Sequence, residues 1–344
     1  MRAIVFYEHG AADVLQHRDD IREPQPKPDE VAVRVSAAAL NRLDDFVRIG
    51  WPGLHLDMPH ILGSDFCGII ESVGSGVTGW APGQRVVANP TLWCGSCPPC
   101  REGRHNQCDS FGILGEHARG AYAEIICVPA RNLVTVPDAI PDDLAAAAPL
   151  TAVTAWHMLI IAGQVRPGET VLVVGAGGGV NTMAIQIARL AGARVLVVAG
   201  SAEKAAGARR LGADLVIDRS ATPEWSKAVW HATDRQGVDV VVDNVGQATW
   251  TSSLRSLARG GRLLTVGGSS GYSAATPINL LFGRHLKVIG SSMGTQADFV
   301  AVMNQVWAGK LTPVIDSTYE LRRYPEALAR MMSGDGFGKI LVQV

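Results

Sequence analysis

Charge is scarce in this chain: Asp, Glu, Lys and Arg make up 18% of its 344 residues, against roughly 25% in an average globular domain. The two signs nearly cancel, 31 basic against 32 acidic, for a net charge of -1. That balance excludes a protein that grips nucleic acid or an anionic membrane by charge alone. Cysteine is sparse too, six in all, which is too few for a disulfide-stapled secreted domain. There is no internal repeat and no low-complexity tail. The opening stretch MRAIVFYEHG lacks an apolar core followed by a small-residue cleavage site. It reads as a first strand, so the cytoplasm is the expected compartment. The most apolar stretch, residues 144–163, is alanine-rich and broken by Pro149 and His157. It reads as buried helix rather than a membrane span.

Apolar residues, by contrast, are plentiful at 47%, enough to offset the entropy of ordering. At about 150 residues per domain the length suggests two domains. Residues 1 to about 130 look β-rich, with alternation at Val31–Val35 and around Arg85–Val87. Pro24, Pro26, Pro28, Pro52, Pro59 and Pro82, with glycines at 74, 76 and 79, cut this part into short pieces. Such punctuation predicts a compact barrel-like β domain. From Glu169 the rhythm changes to apolar strands at 171–174, 195–198, 215–217, 238–242, 262–266 and 286–289. Helical patterns are expected from Val180 to Ala191, near 203–211 and near 249–258. This alternation predicts a parallel sheet covered on both faces.

The run Val174-Gly175-Ala176-Gly177-Gly178-Gly179-Val180 sits between the first strand of that alternation and its first helix. Glycines there permit a tight turn and let backbone N–H groups approach a diphosphate at a helix N-terminus. The six-residue G-x-G-x-x-G spacing is not met, since Val180 takes the sixth place. The second strand ends Val198-Ala199-Gly200-Ser201-Ala202-Glu203-Lys204, with no acid at its tip. An acid there would bind ribose hydroxyls and repel a 2′-phosphate. Ser201, Lys204 and Arg219 instead favour NADP, with NAD left open; the plain alternative is that Lys204 and Arg219 are solvated surface charges.

Cys94, Cys97, Cys100 and Cys108 form C-x2-C-x2-C-x7-C. Four thiolates at such spacings can close a tetrahedral shell around one zinc, leaving no open position for chemistry. The expected metal is therefore structural, one per chain. An iron–sulfur cluster or disulfides are disfavoured by compartment and by the absence of other redox ligands. Cys67 and Cys127 lie in apolar strands and read as small buried hydrophobes.

Together these parts resemble the medium-chain dehydrogenase/reductase superfamily, which includes zinc alcohol dehydrogenases and quinone oxidoreductases. The resemblance spans essentially the whole chain. It includes Gly63-Ser64-Asp65-Phe66-Cys67-Gly68, Gly120-Ala121-Tyr122-Ala123-Glu124, residues 149–156 and Gly338-Lys339-Ile340. It implies an α/β fold: a GroES-like β-barrel catalytic domain over 1–130 and 293–344, with the cysteine lobe at 94–108, and a Rossmann doubly wound parallel sheet over 131–292. It also implies that Gly175, Gly178, Gly179 and Val180 hold the diphosphate, and that Thr154 and the Val266-Gly267-Gly268 turn meet the nicotinamide. Lys339 is expected near the cofactor phosphates. Asn181 departs from the family's G-G-V-G pattern.

The resemblance also exposes what is missing. The alcohol dehydrogenases bind a second, catalytic zinc through a Cys, a His and a later Cys. The matching positions here are Asn41, Ser64 and Leu150, while the acid beside the His survives as Asp65. Leu150 cannot ligate at all. Leu43 and Phe46 stand near the places of the proton relay, and Asn41 followed by Asp44 looks like the zinc-free quinone reductase branch. No H-x3-H pair offers a replacement metal site among His55, His60, His117 and His157. Alcohol oxidation without zinc loses its main means of stabilising an alkoxide. A quinone or conjugated enone is already electrophilic, and its reduction needs mainly positioning and hydrogen-bond donors. The expectation is thus an NAD(P)H-dependent quinone or enone reductase with a zinc-free active site, acting on a small molecule. Asn41 and Asp65 are expected in catalysis, with Trp51 lining the pocket. Alternatives are an alcohol dehydrogenase or carbonyl reductase with a modified site, and a nucleotide-binding protein without turnover. A homodimer or homotetramer is expected, with the apolar strand at 286–289 as a candidate pairing edge.

Overall fold

The computed structural model describes residues 1–344. The chain forms two compact units, Met1–Leu150 with Thr295–Val344, and Thr151–Gly294.

The first unit is organised by the strand Glu30–Ala39, whose alternating Val31, Val33 and Val35 are buried. It pairs antiparallel with Asp65–Val73, with Ile125–Pro129 and with Lys339–Gln343. The sheet then extends to Arg85–Ala88 and Leu133–Thr135 on one side and to Ile315–Glu320 on the other. Register shifts beside Ala32 and Val35 bend the long pairing with Asp65–Val73. A smaller sheet joins Gln16–Arg18, Ala3–Phe6 and His60–Ile61. The core gathers Phe6, Phe66, Ile70, Tyr122, Tyr324 and Leu328, all nearly inaccessible. Residues 131–150, expected in the cofactor domain, lie in this unit. The strand Leu133–Thr135 pairs with Arg85–Ala88, and the helix Asp142–Ala147 packs on Glu30–Ala39 and Asp65–Val73.

Register builds the site. Ala39 faces Asp65 on one side and Leu341 on the other. Asn41, two residues past Ala39, is therefore carried to the same end of the sheet as Asp65 and Lys339. It caps the helix Arg42–Ile49.

The second unit is a six-stranded, wholly parallel sheet. Its spatial order is Leu215–Asp218, Arg194–Ala199, Thr170–Val174, Val238–Asp243, Leu257–Thr265, Lys287–Gly290. Counted along the chain this is 3-2-1-4-5-6, the doubly wound arrangement that binds ligands at the carboxyl ends of the strands, where the order reverses. Val171, Leu172, Val173 and Val174 are at most 1% exposed, as a strand covered on both faces requires. The helix Gly179–Leu190 follows the first strand and buries Met183, Ala184, Ile187 and Ala188. Lys287–Gly290 lies at the edge, as its position in the alternation suggests. No helix is long and apolar enough to cross a membrane; residues 144–163 form a succession of short, largely buried helices broken at Pro149.

Candidate active site

In the first unit, three buried side chains converge at the sheet end. Asp65 is wholly inaccessible. Its Oδ1 accepts the Leu150 backbone N–H at 2.7 Å, and its Oδ2 accepts from Asn41 Nδ2 at 2.9 Å and from Lys339 Nζ at 2.8 Å. Lys339 also donates to Asn41 Oδ1 at 2.6 Å. The carboxamide is thus held at both ends. Its second N–H lies 3.5 Å from Ala39 O, at the long limit of a hydrogen bond, and is the one donor it has left to offer.

A second carboxylate lies behind this triad. Asp44 Oδ2 accepts the Asn41 backbone N–H at 2.7 Å and the Tyr122 hydroxyl at 2.6 Å. Burial pushes the Asp44 carboxyl up to about 6 against these two donors. The same burial drives the Tyr122 phenol well above its ordinary value.

Lys339, expected at the cofactor phosphates, has its ammonium engaged inside the first unit, with its side chain 4% exposed. Reaching a phosphate would break a buried ion pair. Trp51 stands in the loop after the helix Arg42–Ile49, 42% exposed, and no hydrogen bond or ring contact joins it to Asn41 or Asp65. His60 is buried, and its Nε2 donates to Gly115 O at 3.1 Å while its ring meets Phe6 edge-on. Burial lowers its pKa below the ordinary imidazole value. Ser64 Oγ is buried without a partner. Glu116, not singled out by sequence reasoning, is buried on the turn whose Gly115 abuts Gly63, and burial alone pushes its carboxyl up to about 7. Nothing in its local sequence separates it from a surface acid.

In the second unit, Gly175 adopts φ +89°, the left-handed turn that a glycine supplies. Gly178 caps the helix that begins at Gly179 and Val180. Ser201 Oγ accepts the Lys204 backbone N–H at 3.3 Å, capping the next helix and keeping its own hydrogen to donate. The Arg219 guanidinium lies over Gly200, where a Cβ would sit 3.6 Å from Nε and 3.7 Å from Nη2. Arg219 is exposed and makes no ion pair. The Thr154 hydroxyl donates to Met293 Sδ at 3.6 Å. Asp243, unremarked in the sequence, ends the fourth strand fully buried. It accepts from the backbone N–H groups of Val245 and Gly246 and from the Thr249 and Ser253 hydroxyls.

The Sγ atoms of Cys94, Cys97, Cys100 and Cys108 all lie within 4.8 Å of one another. Cys94 and Cys100 are 4.0 Å apart, and Cys97 and Cys108 are 3.8 Å apart. Zinc–sulfur bonds of about 2.3 Å in a tetrahedron require sulfur separations of about 3.8 Å, so the donor set fits zinc. Backbone N–H groups of Ser96 and Cys97 point at Cys94 Sγ, and those of Cys94 and Ser110 at Cys108 Sγ. Such donors offset the excess negative charge of four thiolates; the Ser96 N–H and hydroxyl hold the Cys94 thiol down to about 5. Cys67 and Cys127 are pushed up to about 12 by burial and stay protonated.

A family model described as an alcohol dehydrogenase GroES-like domain matches residues 27–138, and one described as a zinc-binding dehydrogenase matches residues 179–308. An NAD-dependent alcohol dehydrogenase of Saccharolobus solfataricus is 34% identical over 98% of this chain and 99% of its own. The chain belongs to the medium-chain dehydrogenases/reductases, in their zinc-type alcohol dehydrogenase and quinone oxidoreductase family. Within this family it is also 32% identical to an acryloyl-coenzyme A reductase of Metallosphaera sedula, over 99% of both chains. A crystal structure of an NAD-dependent alcohol dehydrogenase superposes with a TM-score of 0.96 at 42% identity, covering 100% of both chains. Like the relatives named here, the protein is an NAD(P)-dependent oxidoreductase.

Proposed function

We propose that this oxidoreductase reduces quinones or conjugated enones with NADPH and does so without a metal at the reacting centre. The observation that carries the reading is the Asn41–Asp65–Lys339 triad. At the positions where the alcohol dehydrogenases place zinc ligands stand a carboxamide, a hydroxyl and an alkyl group. Asn41 already spends its oxygen on the Lys339 ammonium at 2.6 Å. That ammonium supplies fixed positive charge beside Asp65, and a divalent ion added there would meet electrostatic repulsion.

When bound, NADPH supplies the hydride, which goes to an electron-poor acceptor carbon. The charge that develops delocalises onto the acceptor oxygen, where a hydrogen-bond donor stabilises it and a proton completes the reduction. Asn41 Nδ2 is positioned to be such a donor, either to the acceptor or to a ribose hydroxyl. Asp65 and Lys339 keep its amide from turning. The similarity to an acryloyl-coenzyme A reductase supports a conjugated acceptor. The preference for NADPH rests on Arg219 over Gly200 and on the lack of an acid at that strand tip. Alcohol dehydrogenation with a modified site is the second reading, favoured by the relatives named NAD-dependent alcohol dehydrogenases.

A panel of quinones, enones, aldehydes and alcohols against NADPH and NADH tests these readings. NADPH oxidation with quinones or enones, and no alcohol oxidation even with added zinc, is expected. Robust oxidation of a simple primary alcohol would establish the second reading instead. In the same assays Arg219→Ala should raise the KM for NADPH about 10- to 100-fold and leave that for NADH nearly unchanged, since a charged hydrogen bond contributes about 1.5–3 kcal/mol. Equal changes for both cofactors would remove Arg219 from the 2′-phosphate.

A further inference from the structure

Asn181 stands where the family pattern has glycine, in the first turn of the helix Gly179–Leu190, and is 7% exposed. A glycine there lets helix and strand approach closely; here a carboxamide fills the space, joins the ends of the strands Thr170–Val174 and Val238–Asp243, and reaches the end of Leu257–Thr265 through Asn244. Its Nδ2 donates to Val174 O at 2.9 Å and to Gly175 O at 2.7 Å. Its Oδ1 accepts from Asn244 Nδ2 at 2.8 Å. Asn244 Oδ1 in turn accepts the Val266 backbone N–H at 2.9 Å. Neither amide can turn over. A reversed Asn181 would press its oxygen on two carbonyls, and a reversed Asn244 would press N–H on N–H. The relay therefore has one orientation.

Its two ends are functional positions on the proposed reading. Gly175 begins the diphosphate loop, and Val266 begins the turn expected against the nicotinamide. Asn244 is itself fixed, because Asp243 beside it accepts four hydrogen-bond donors of the following turn. The Val266 turn hangs on the same segment: Ser269 N–H donates to Asn244 O and Ser270 N–H to Val245 O. Val266 and Gly267 also line a cavity of about 350 Å³ with Gly246, Thr265, Tyr272 and Ser291, whose hydroxyl is buried without a partner.

We propose that Asn181 and Asn244 are a positioning pair that sets the distance between the diphosphate loop and the nicotinamide-end turn, and so holds the nicotinamide ring in register for hydride transfer. The pair touches neither acceptor nor reacting carbon. The inference rests on the cofactor reading but not on the identity of the acceptor.

Equilibrium binding without any acceptor tests it. The probes are NADPH and ADP-ribose 2′-phosphate, which is NADPH without its nicotinamide. In Asn244→Ala, NADPH should bind about tenfold more weakly, while the fragment changes less than about twofold. Asn181→Ala combined with Asn244→Ala should cost less than the two single changes added, because either one breaks the same relay. With stereospecifically C4-deuterated NADPH and any substrate the parent turns over, deuterium left on the oxidised cofactor should show transfer from both faces of the ring in the variant where the parent uses one. Should Asn244→Ala fail to fold, Asn244→Asp keeps the acceptor for Val266 N–H, loses the donor to Asn181 and is read by the same binding ratio. Equal weakening of NADPH and fragment, no weakening of either, or strict additivity would overturn the proposal. A parent protein that binds neither dinucleotide would remove the cofactor reading itself, and the proposal with it.

Discussion

Asp44 and Asp65 are both buried, yet their surroundings treat charge differently. Asp65 is matched by the Lys339 ammonium at 2.8 Å. Asp44 has only neutral donors in contact, from Asn41 N–H and Tyr122, and burial raises its pKa from 3.8 to about 6. Between these values the folded chain binds a proton that the unfolded chain releases. Stability is therefore greatest below about pH 4 as far as this group is concerned, falls as pH rises to about 6, and is then level. The loss is on the order of 3 kcal/mol. Asp44→Asn keeps an acceptor for Tyr122 and removes the titration. Urea unfolding at a series of pH values should show that slope in the parent and a flattened one in the variant; identical profiles would mean Asp44 is ionised throughout. At this scale the sequence pointed to Asn41 and Asp65 through a motif. It could not show that Lys339 turns inward to them, or that Asn181 reaches Asn244. Both contacts join residues far apart in the chain, and local patterning carries no trace of such pairs.

Elements were more legible than contacts. Apolar runs announced the strands of the parallel sheet; the three central ones, Arg194–Ala199, Thr170–Val174 and Val238–Asp243, are rich in valine and buried on both faces, so they need no alternation. The helices Trp225–Ala232, Gln296–Trp307 and Tyr324–Ser333 were not anticipated. Their apolar positions are interspersed with small and polar residues, and short helices offer few periods to read. The cysteine lobe was legible from spacing alone. What spacing did not show is its anchor: Trp93 stacks on His105 at 4.6 Å, while Arg131 covers the Trp93 ring at 4.9 Å and donates to its carbonyl. Cys97→Ser removes one ligand of a closed shell. It should release the zinc and lower the melting temperature by about 3–6 °C, a loss of roughly 2–4 kcal/mol at this chain size, with a smaller effect on turnover at 25 °C. Elemental analysis, a thermal melt and a rate assay on one preparation check this. Abolished hydride transfer in a fold of parental stability would contradict it.

For the whole molecule, composition and alternation indicated two units and their classes, while the boundary was displaced because residues 131–150 return to the first unit through the pairing of Leu133–Thr135 with Arg85–Ala88. The outer strand Lys287–Gly290 exposes Val288 at 42%, and nearby in the chain Ile278 and Phe282 are 72% and 71% exposed. An open strand edge with apolar neighbours invites pairing. We propose that a second copy of the chain covers it. Val288→Asp with Phe282→Asp should convert the oligomer to monomer in sedimentation analysis, and an unchanged oligomer would place the interface elsewhere.

The proposed reacting centre relies on an ammonium and amides rather than on a metal. Counting zinc in enzyme that is oxidising NADPH with a quinone tests this most directly. One tightly held zinc per chain, lost on Cys97→Ser, is the predicted result. Two per chain in the active enzyme would contradict it.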